Sequence, residues 1–233
     1  MKHFIVAGAG KGVGLKVAAL LAEQHHVISL SRNMTANLEK LDTRFYPIDL
    51  ARESLDSLND LPDKIDGLVY CPGSINLKPF NRLSRQDFID DFEQNVLGAV
   101  SLIQKILPNL KRANGASIVL FSTVASTLGM PFHASIATSK AAVEGLAKSL
   151  AAELAASHIR VNVIAPSLLD TPLSAFLLNT TEKKEAAAKR HPLQRIGTAD
   201  EIAHMAAFLL SDNSSWITGQ VIGADGGMGS VKT

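Results

Sequence analysis

The chain has 233 residues, of which 46% are hydrophobic, and this is enough to form one α/β core without a second domain. Its charged residues nearly cancel to a net charge of +1 and form no long basic run, which argues against a nucleic-acid-binding surface. No segment is apolar for the length of a membrane span, and the single cysteine, Cys71, has no internal disulfide partner, so we expect a cytoplasmic protein that binds small molecules.

Short apolar runs alternate with segments of helical periodicity along the whole chain. Strands are predicted at 3–7, 26–30, 44–47, 66–70, 116–121, 159–164 and 220–222. Helices are predicted at 13–24, 51–60, 86–110, 134–157 and 198–211. This alternation predicts a single doubly wound α/β domain over residues 1–233, with about seven parallel strands and helices on both faces.

The least regular stretch is 166–197, which contains Pro166, Pro172 and Pro192. Long irregular segments in compact domains often cover a functional site. We interpret the stretch as a lid, and the alternative is a plain surface excursion.

A glycine-rich turn follows the first predicted strand and precedes the first helix. It contains Gly8, Gly10, Lys11, Gly12, Val13 and Gly14. Glycines at this place let the backbone approach a pyrophosphate, and the N-terminus of the next helix offers free N–H groups to the anion. Tight turns also need glycine, but the strand before the turn and the helix after it favour a dinucleotide cofactor.

The end of the second strand indicates which nicotinamide cofactor is bound. A carboxylate there bonds the ribose 2′-hydroxyl of NAD, whereas an arginine accommodates the 2′-phosphate of NADP. The segment contains Ser31 and Arg32 but no carboxylate, and Lys11 adds a second cation within the glycine-rich turn. Either cation alone would usually be a solvated surface charge, but together they favour NADP(H) over NAD(H).

Several segments together resemble the short-chain dehydrogenase/reductase family. The spacing of Gly8, Gly12 and Gly14 is similar to the family's Gly-x-x-x-Gly-x-Gly turn, and the segments 160–166 and 225–227 resemble its sixth strand and its C-terminal region. The resemblance implies a Rossmann-type fold, a nicotinamide cofactor and oxidoreductase activity. It also implies a homodimer or homotetramer formed through the two long predicted helices, since this is common in the family.

The resemblance implies further cofactor contacts beyond the glycine-rich turn. In the family, residues matching Asp49 and Leu50 lie at the adenine, although Asp49 is also suited to cap a following helix. The fourth strand ends in a segment that lies at the adenine ribose and matches the family only at its glycine: Cys71, Pro72 and Gly73.

The nicotinamide end of the cofactor is assigned in the same way. The end of the sixth strand passes the nicotinamide in the family and here consists of Pro166, Ser167 and Leu168, with Ser167 in place of the usual glycine. Thr171 matches a threonine that contacts the carboxamide or a phosphate, and its alternative role is a helix cap.

The family's catalytic residues can be matched one at a time, and one of them differs. Asn95 matches the helix asparagine that helps to hold a water, and Lys140 matches the lysine that binds the nicotinamide ribose. Thr123 lies thirteen residues before Ile136, which is the family's spacing from catalytic serine to tyrosine, and keeps the hydroxyl. Ile136, four residues before Lys140, occupies the position of the tyrosine that protonates the substrate and has no group for acid–base work.

His133 is the replacement proton donor that the sequence suggests. It lies one helical turn before Ile136 and stands seven residues before Lys140, as the tyrosine does in the related enoyl reductases. Histidine is also the commonest side chain in acid–base catalysis. The alternative is an exposed histidine at a helix start.

Three functions are compatible with these residues. The first is an NADP(H)-dependent oxidoreductase with an atypical proton donor, acting on a carbonyl, an alcohol or an activated double bond of an apolar substrate. The second is a catalytically silent NADP(H)-binding protein, and the third is a non-redox isomerase, dehydratase or lyase on the same fold. No metal site is expected in any of them.

Overall fold

The computed structural model describes residues 1–232 and contains a seven-stranded parallel sheet. Its strands are β1 (His3–Ala7), β2 (His26–Ser31), β3 (Thr43–Pro47), β4 (Gly67–Tyr70), β5 (Ser117–Phe121), β6 (Arg160–Pro166) and β9 (Val221–Ala224). Across the sheet they lie in the order β3-β2-β1-β4-β5-β6-β9. Two short strands, β7 (Leu169–Asp170) and β8 (Gly197–Thr198), pair separately. All seven predicted strands are confirmed within about two residues, and the predicted Rossmann-type fold is observed.

Helices cover both faces of the sheet. They are α1 (Gly12–Ala22), α2 (Arg85–Phe92), α3 (Gly98–Ala113), α4 (Ala134–Leu154), α5 (Thr181–Ala188) and α6 (Ala199–Leu210). Because successive strand residues point to opposite faces, Ile5 packs with α3 and α4, whereas Val6 packs with α1 and α6. The buried strands are therefore apolar at nearly every position, as expected for a sheet covered on both sides.

The predicted helix at 51–60 is wrong. The segment forms turns and a single 3₁₀ turn at Leu55–Ser57. The side chain of Ser54 accepts a hydrogen bond from the backbone N–H of Asp56, and its hydroxyl donates to the Asp56 carboxylate at 2.6 Å. Such local bonds from serine and aspartate side chains compete with the helical ladder.

The predicted helix at 86–110 is interrupted rather than continuous. Between α2 and α3 the residues Glu93–Leu97 form a π-helical turn, and the N–H of Gly98 bonds to the carbonyl of Glu93. The side chain of Asn95 donates to the carbonyl of Asp91 at 2.6 Å, so it takes the acceptor of the normal α-helical bond at this point. Side-chain insertion of this kind widens a helical turn, and π-turns are frequent at functional sites.

The fold brings the predicted site residues to one edge of the sheet. The strand order turns between β1 and β4, and in open α/β sheets a ligand lies in the crevice at the carboxyl ends of the strands next to this point. The irregular stretch 166–197 follows β6 at the same edge and contains β7 and α5 before reaching β8. Among residues 1–232, no helix is both long enough and apolar enough to cross a bilayer.

Candidate active site

A cavity of about 800 Å³ lies at the carboxyl edge of the sheet and collects nearly every predicted site residue. Its lining includes Gly8, Gly10, Lys11, Gly12, Val13, Gly14, Ser31, Arg32, Asp49, Leu50, Cys71, Pro72, Gly73, Thr123, His133, Ile136, Lys140, Pro166, Ser167, Leu168 and Thr171. Of the predicted site residues, only Asn95 lies behind the wall. A volume of this size lies within the usual range of small-molecule and cofactor pockets.

The glycine-rich turn is shaped by close backbone contacts. Gly8 has φ +77° and Gly12 has φ +57°, a region that side-chain-bearing residues rarely adopt. A Cβ on Gly14 would overlap the carbonyl oxygen of Gly8, so helix α1 begins directly against the turn. Lys11 precedes α1 without a side-chain cap, which leaves the first N–H groups of the helix free for an anion.

The two cations predicted to select the cofactor both line the cavity. Arg32 and Lys11 are exposed, and neither has an acidic partner in residues 1–232. The hydroxyl of Ser31 donates to the carbonyl of Asn33 at 2.8 Å and fixes the turn after β2. Asp49 accepts a bond from the N–H of Ala51 at 3.1 Å, so its capping role is observed on a turn rather than on a helix.

Lys140 is a buried cation at the centre of the site. Its Nζ donates to the carbonyl of Phe121 at 2.9 Å, and the residue is only 8% exposed. Burial lowers the pKa of Lys140 to about 8, and this effect outweighs the opposing influence of Cys71 and of Asp91. The pKa of this ammonium group therefore lies close to neutral pH, so the group is able to exchange a proton as well as bind hydroxyl groups.

An open polar space lies between Lys140 and Asn95. A Cβ placed on Gly73 would lie 3.5 Å from Lys140 Nζ and 3.4 Å from Asn95 Oδ1, so the bare backbone of Gly73 leaves this space free. Asn95 Oδ1 is buried and has no hydrogen-bond partner among the described residues. A buried acceptor without a partner is costly, and a water or a ligand hydroxyl in this space would satisfy it.

A buried carboxylate supports Asn95, and sequence reasoning missed it. Asp91 is 3% exposed and accepts hydrogen bonds from the hydroxyls of Ser74 at 2.5 Å and Ser135 at 2.6 Å. The side chain of Asn95 also reaches Ser139 at 3.3 Å. The available signal was the four-residue separation of Asp91 from Asn95, which places both on one face of a helix.

The adjacent hydroxyl groups of Ser122 and Thr123 have different hydrogen-bond partners. Thr123 lines the cavity and accepts a weak bond from the N–H of Ala125 at 3.3 Å. The hydroxyl of Ser122 donates to Glu144 on α4 at 2.5 Å, which uses it in packing. Thr123 therefore has a hydroxyl hydrogen available to a substrate oxygen.

The position four residues before Lys140 carries no acid. Ile136 is 6% exposed and presents an apolar side chain to the cavity. Neither tyrosine of the chain supplies a phenol beside Ile136. The hydroxyl of Tyr70 donates to the carbonyl of Gln94 at 2.9 Å, and the hydroxyl of Tyr46 contacts the carbonyl of Asp60 beside β3. Burial also raises the pKa of Tyr70.

The predicted donor His133 is half-buried at the start of α4 and lines the cavity. Its Nδ1 lies 2.7 Å from the carbonyl of Pro131, which only accepts, so Nδ1 carries the hydrogen and Nε2 is the free nitrogen. Phe132, immediately before it, has φ +69°. Strained backbone of this kind is enriched at functional sites.

The remaining predicted contacts are placed as follows. Thr171 begins a turn rather than a helix, because its carbonyl accepts from the N–H of Ser174 at 3.1 Å. Burial raises the pKa of the Cys71 thiol to about 12, so the cysteine is a neutral wall residue. Ser167 bonds to His191, a buried histidine that sequence reasoning missed because it lies far along the chain from β6.

Comparison with known proteins agrees with this architecture. The family model described as enoyl-(acyl carrier protein) reductase matches residues 8–229. A 3-oxoacyl-[acyl-carrier-protein] reductase FabG from Thermotoga maritima is 32% identical over 241 residues, covering 97% of this chain and 97% of the relative. The chain belongs to the short-chain dehydrogenase/reductase family.

Solved structures of the short-chain dehydrogenase/reductase family superpose closely on this member. A short-chain type dehydrogenase/reductase from Mycobacterium ulcerans has a TM-score of 0.88 at 32% identity, with 97% of this chain and 89% of that chain covered. The RhlG/NADP active-site complex from Pseudomonas aeruginosa has a TM-score of 0.91 at 28% identity, with 98% and 96% covered. The short-chain dehydrogenase/reductase family uses nicotinamide cofactors and acts on small molecules. This confirms the expectation of a nicotinamide cofactor and that of a small-molecule substrate.

Proposed function

We propose that this short-chain dehydrogenase/reductase is an NADP(H)-dependent oxidoreductase that acts on a carbonyl, an alcohol or an activated double bond of an apolar substrate, with a proton donor other than a tyrosine at position 136. The observation that supports it is one continuous cavity that joins the glycine-rich turn to Lys140 and Thr123. A bound nicotinamide would supply or accept the hydride.

The residues present fit such a cofactor. The uncapped start of α1 suits the pyrophosphate, and the bare backbone at Gly73 leaves room beside Lys140 for the nicotinamide ribose hydroxyls. The unpartnered oxygen of Asn95 gives the same space a second polar contact. Asp49, Leu50, Cys71 and Pro72 would border the adenine half, and Pro166, Leu168 and Thr171 would border the nicotinamide half.

The wall of the cavity is mainly apolar. Besides Ile136, it contains Ile75, Leu77, Val124, Met130, Leu173 and Leu177. The Thermotoga maritima relative is a 3-oxoacyl reductase, and such a wall suits the hydrocarbon part of an acyl chain. We therefore include acyl ketones among the substrates to be tested first.

Loss of the phenol leaves much of the catalytic capacity in place. General acid catalysis typically supplies about 10²–10⁴ in rate, while orientation of two reactants supplies about 7–11 kcal/mol. Thr123 is able to donate to the substrate oxygen, and the Lys140 cation stabilises negative charge that develops nearby. A slow but genuine reductase is the expected result.

The cofactor preference is tested at Arg32. Replacing Arg32 with glutamate should weaken NADPH binding by about 10–100-fold, because it exchanges a phosphate partner for a carboxylate that repels the 2′-phosphate. NADH binding should weaken much less, since the same carboxylate accepts a bond from a ribose hydroxyl. Fluorescence titration of both cofactors measures the change, and equal losses for NADPH and NADH would contradict the proposed preference.

The altered acid is tested at Ile136. The variant Ile136→Tyr should raise NADPH-dependent reduction of small ketones by about 10²-fold or more, because it restores a phenol one helical turn from Lys140. The assay is NADPH oxidation against ketones, quinones and enones, and Ile136→Phe controls for the bulk of the ring. Equal rates in the phenylalanine and tyrosine variants would show that the hydroxyl is not used there.

A catalytically silent NADP(H)-binding protein is the second candidate. The apolar Ile136 beside the buried Lys140 favours it, because that arrangement keeps cofactor contacts without an acid at this position. Tight NADPH binding without turnover in the natural chain would support this reading. Product formation without NADPH consumption would instead indicate a non-redox reaction.

Cytoplasmic location and assembly as a homodimer or homotetramer are part of the same proposal. The small apolar hollow at α2 and α4 is bordered by Phe88, Phe92 and Leu97, and the last two are more than a third exposed. Covering these side chains with a second copy would remove apolar surface from water. Sedimentation of the purified protein tests the assembly.

A further inference from the structure

Ser167 and His191 form a hydrogen-bonded pair in the wall of the cavity. Ser167 Oγ lies 2.8 Å from His191 Nε2, and both residues line the cavity. Ser167 is half-buried directly after β6, whereas His191 is 2% exposed. Ser167 is therefore the more accessible member of the pair, and its hydroxyl bonds a buried imidazole.

The imidazole is held in one orientation. His191 Nδ1 lies 2.8 Å from the carbonyl of Ala187 in α5, which only accepts, so Nδ1 carries a hydrogen in every protonation state. The ring also packs against the backbone of Gly226, where an added Cβ would lie 3.5 Å from the histidine side chain. Only Nε2 is left to gain or lose a proton, and its partner is Ser167.

The single Ser167–His191 contact suits both charge states of the ring. When the imidazole is neutral, the Ser167 hydroxyl donates to Nε2. When it is protonated, Nε2 donates to Ser167 Oγ, and the hydroxyl hydrogen turns away toward another acceptor. A serine whose only partner is a backbone carbonyl always donates to it and never accepts a hydrogen bond from it.

We propose that Ser167 and His191 are the proton donor that replaces the missing phenol, with Ser167 passing the proton to the substrate oxygen and His191 supplying it. This proposal rests on the oxidoreductase function proposed above. Ser167 is the residue that touches the substrate, and His191 acts through it.

The step balances as a two-electron reduction. A hydride, supplied by the reduced nicotinamide, forms the new C–H bond at the carbonyl carbon, and the electron pair of the C=O π bond moves to oxygen. That oxygen takes the hydroxyl proton of Ser167, and Ser167 Oγ takes the proton of His191 Nε2 as the O–H bond breaks. Solvent then reprotonates His191, and alcohol oxidation runs the same transfers in reverse.

Charged groups lie on the elements around the pair. Arg190 precedes His191, and Lys183 lies on α5, which supplies the carbonyl of Ala187; both cations line the same cavity. Asp225 lies before the Gly226–Gly227 turn and is already bonded to the N–H groups of Gly227 and Gly229 at 2.9 Å.

His133 is the competing donor, and its surroundings differ. It is bonded at Nδ1 to Pro131 in the same turn, and the structure shows no side-chain hydroxyl bonded to its other nitrogen within residues 1–232. His133 would have to contact the substrate directly from the start of α4. The two candidates are therefore separated by substitution.

The first test compares variants by kcat, KM and NADPH affinity. Ser167→Ala and His191→Gln should each lower kcat for ketone reduction by about 10²-fold while NADPH binding changes less than about threefold. Ser167→Thr keeps the hydroxyl and should recover much of the loss. His204→Gln is the matched control, because His204 on α6 makes the same bond to the carbonyl four residues earlier but is exposed and outside the cavity.

The second test does not depend on turnover. In the purified protein without added cofactor, the histidine ring resonance that disappears in His191→Gln should shift in Ser167→Ala, because that substitution removes the hydrogen-bond partner of Nε2. If His191→Gln fails to fold, only Ser167→Ala is used. The His191 ring resonance is then identified as the histidine signal that this substitution shifts.

Several outcomes would overturn the pair as the donor. Histidine ring resonances that are all unchanged in Ser167→Ala, or an unchanged kcat in the same variant, would each do so. A raised KM for NADPH with kcat intact would do so as well, because it would show a binding role. Loss of turnover in His133→Gln together with full activity in Ser167→Ala would assign the proton to His133 instead. A natural chain inert toward every carbonyl would refute the proposed function as well, whereas turnover that survives both substitutions would refute the pair alone.

Discussion

Replacing Lys140 with methionine is expected to lower NADPH-dependent turnover by about 10²–10³-fold, as removal of a single preorganised donor does in other enzymes. The buried ammonium faces both the open space beside Gly73 and the carbonyl of Phe121. Methionine has a similar length and no charge, so it removes the cation without leaving a large void. The measurement is the initial rate of ketone reduction, together with NADPH affinity.

The same substitution should not destabilise the fold near neutral pH. The folded-state pKa of Lys140 is about 8, below the ordinary lysine value of 10.5, so folding disfavours the protonated form by about 3 kcal/mol. This penalty is fully present below about pH 8 and is relieved as pH rises toward 10.5, because the unfolded chain binds the extra proton in that window. The stability advantage of Lys140→Met over the natural chain should therefore shrink by up to about 3 kcal/mol from pH 7 to pH 10.5.

Comparing the two proteins at each pH cancels the titration of groups that do not interact with Lys140. Cys71 does interact with it, and the raised pKa of the thiol, about 12 against 9.0, lowers stability over an overlapping alkaline range, so both proteins are compared with Cys71 replaced by alanine. Urea unfolding at several pH values gives the difference in free energy of unfolding. A difference in free energy of unfolding that stays constant from pH 7 to pH 10.5 would contradict a lowered pKa of Lys140. Unchanged turnover in Lys140→Met would show that Lys140 has no part in catalysis.

Replacing Gly14 with alanine is expected to destabilise the protein by at least about 3 kcal/mol and to abolish NADPH binding. The new Cβ would overlap the carbonyl oxygen of Gly8 and lie 2.8 Å from its carbonyl carbon. Both neighbours are backbone atoms, which cannot turn aside as a flexible side chain does. Either the turn or the start of α1 must move, and both belong to the pyrophosphate site that we propose.

Gly129→Ala is the matched control for this substitution. Gly129 is exposed, has an ordinary φ and has no atom within 4 Å of an added Cβ, so the change should alter stability by less than about 1 kcal/mol. For a protein of this size, the Gly14 variant should lose roughly 6–12 °C in melting temperature. A Gly14→Ala protein with normal melting and normal NADPH affinity would show that the turn is looser than the structure indicates.

Strand positions and the glycine-rich turn were predictable because their signals are local. An apolar run such as Phe4–Ala7 followed by glycines defines a buried strand and a tight turn without reference to distant residues. The helix at 51–60 was wrong because the apolar spacing of Leu55 and Leu58 suggested a helix that the local bonds of Ser54 prevent.

The polar environment of the site was less predictable. Asp91 meets Ser135 across 44 residues, and Ser167 meets His191 across 24, so these pairs exist only after the helices pack. The interruption of the long helix at Asn95 depends on a side chain bonding to a carbonyl of its own helix, which periodicity does not reveal. Sequence reasoning therefore found the cavity wall but not the hydrogen bonds behind it.

The most direct test of the central claim is deuteride transfer. NADPH labelled with deuterium at the hydride-donating carbon is incubated with the natural chain and an apolar ketone, and the alcohol is analysed by mass spectrometry. The account predicts an alcohol that carries one deuterium, formed slowly by the natural chain and faster by Ile136→Tyr. Tight NADPH binding with no labelled alcohol from any ketone, quinone or enone would contradict it and would leave a protein that binds the cofactor without using it.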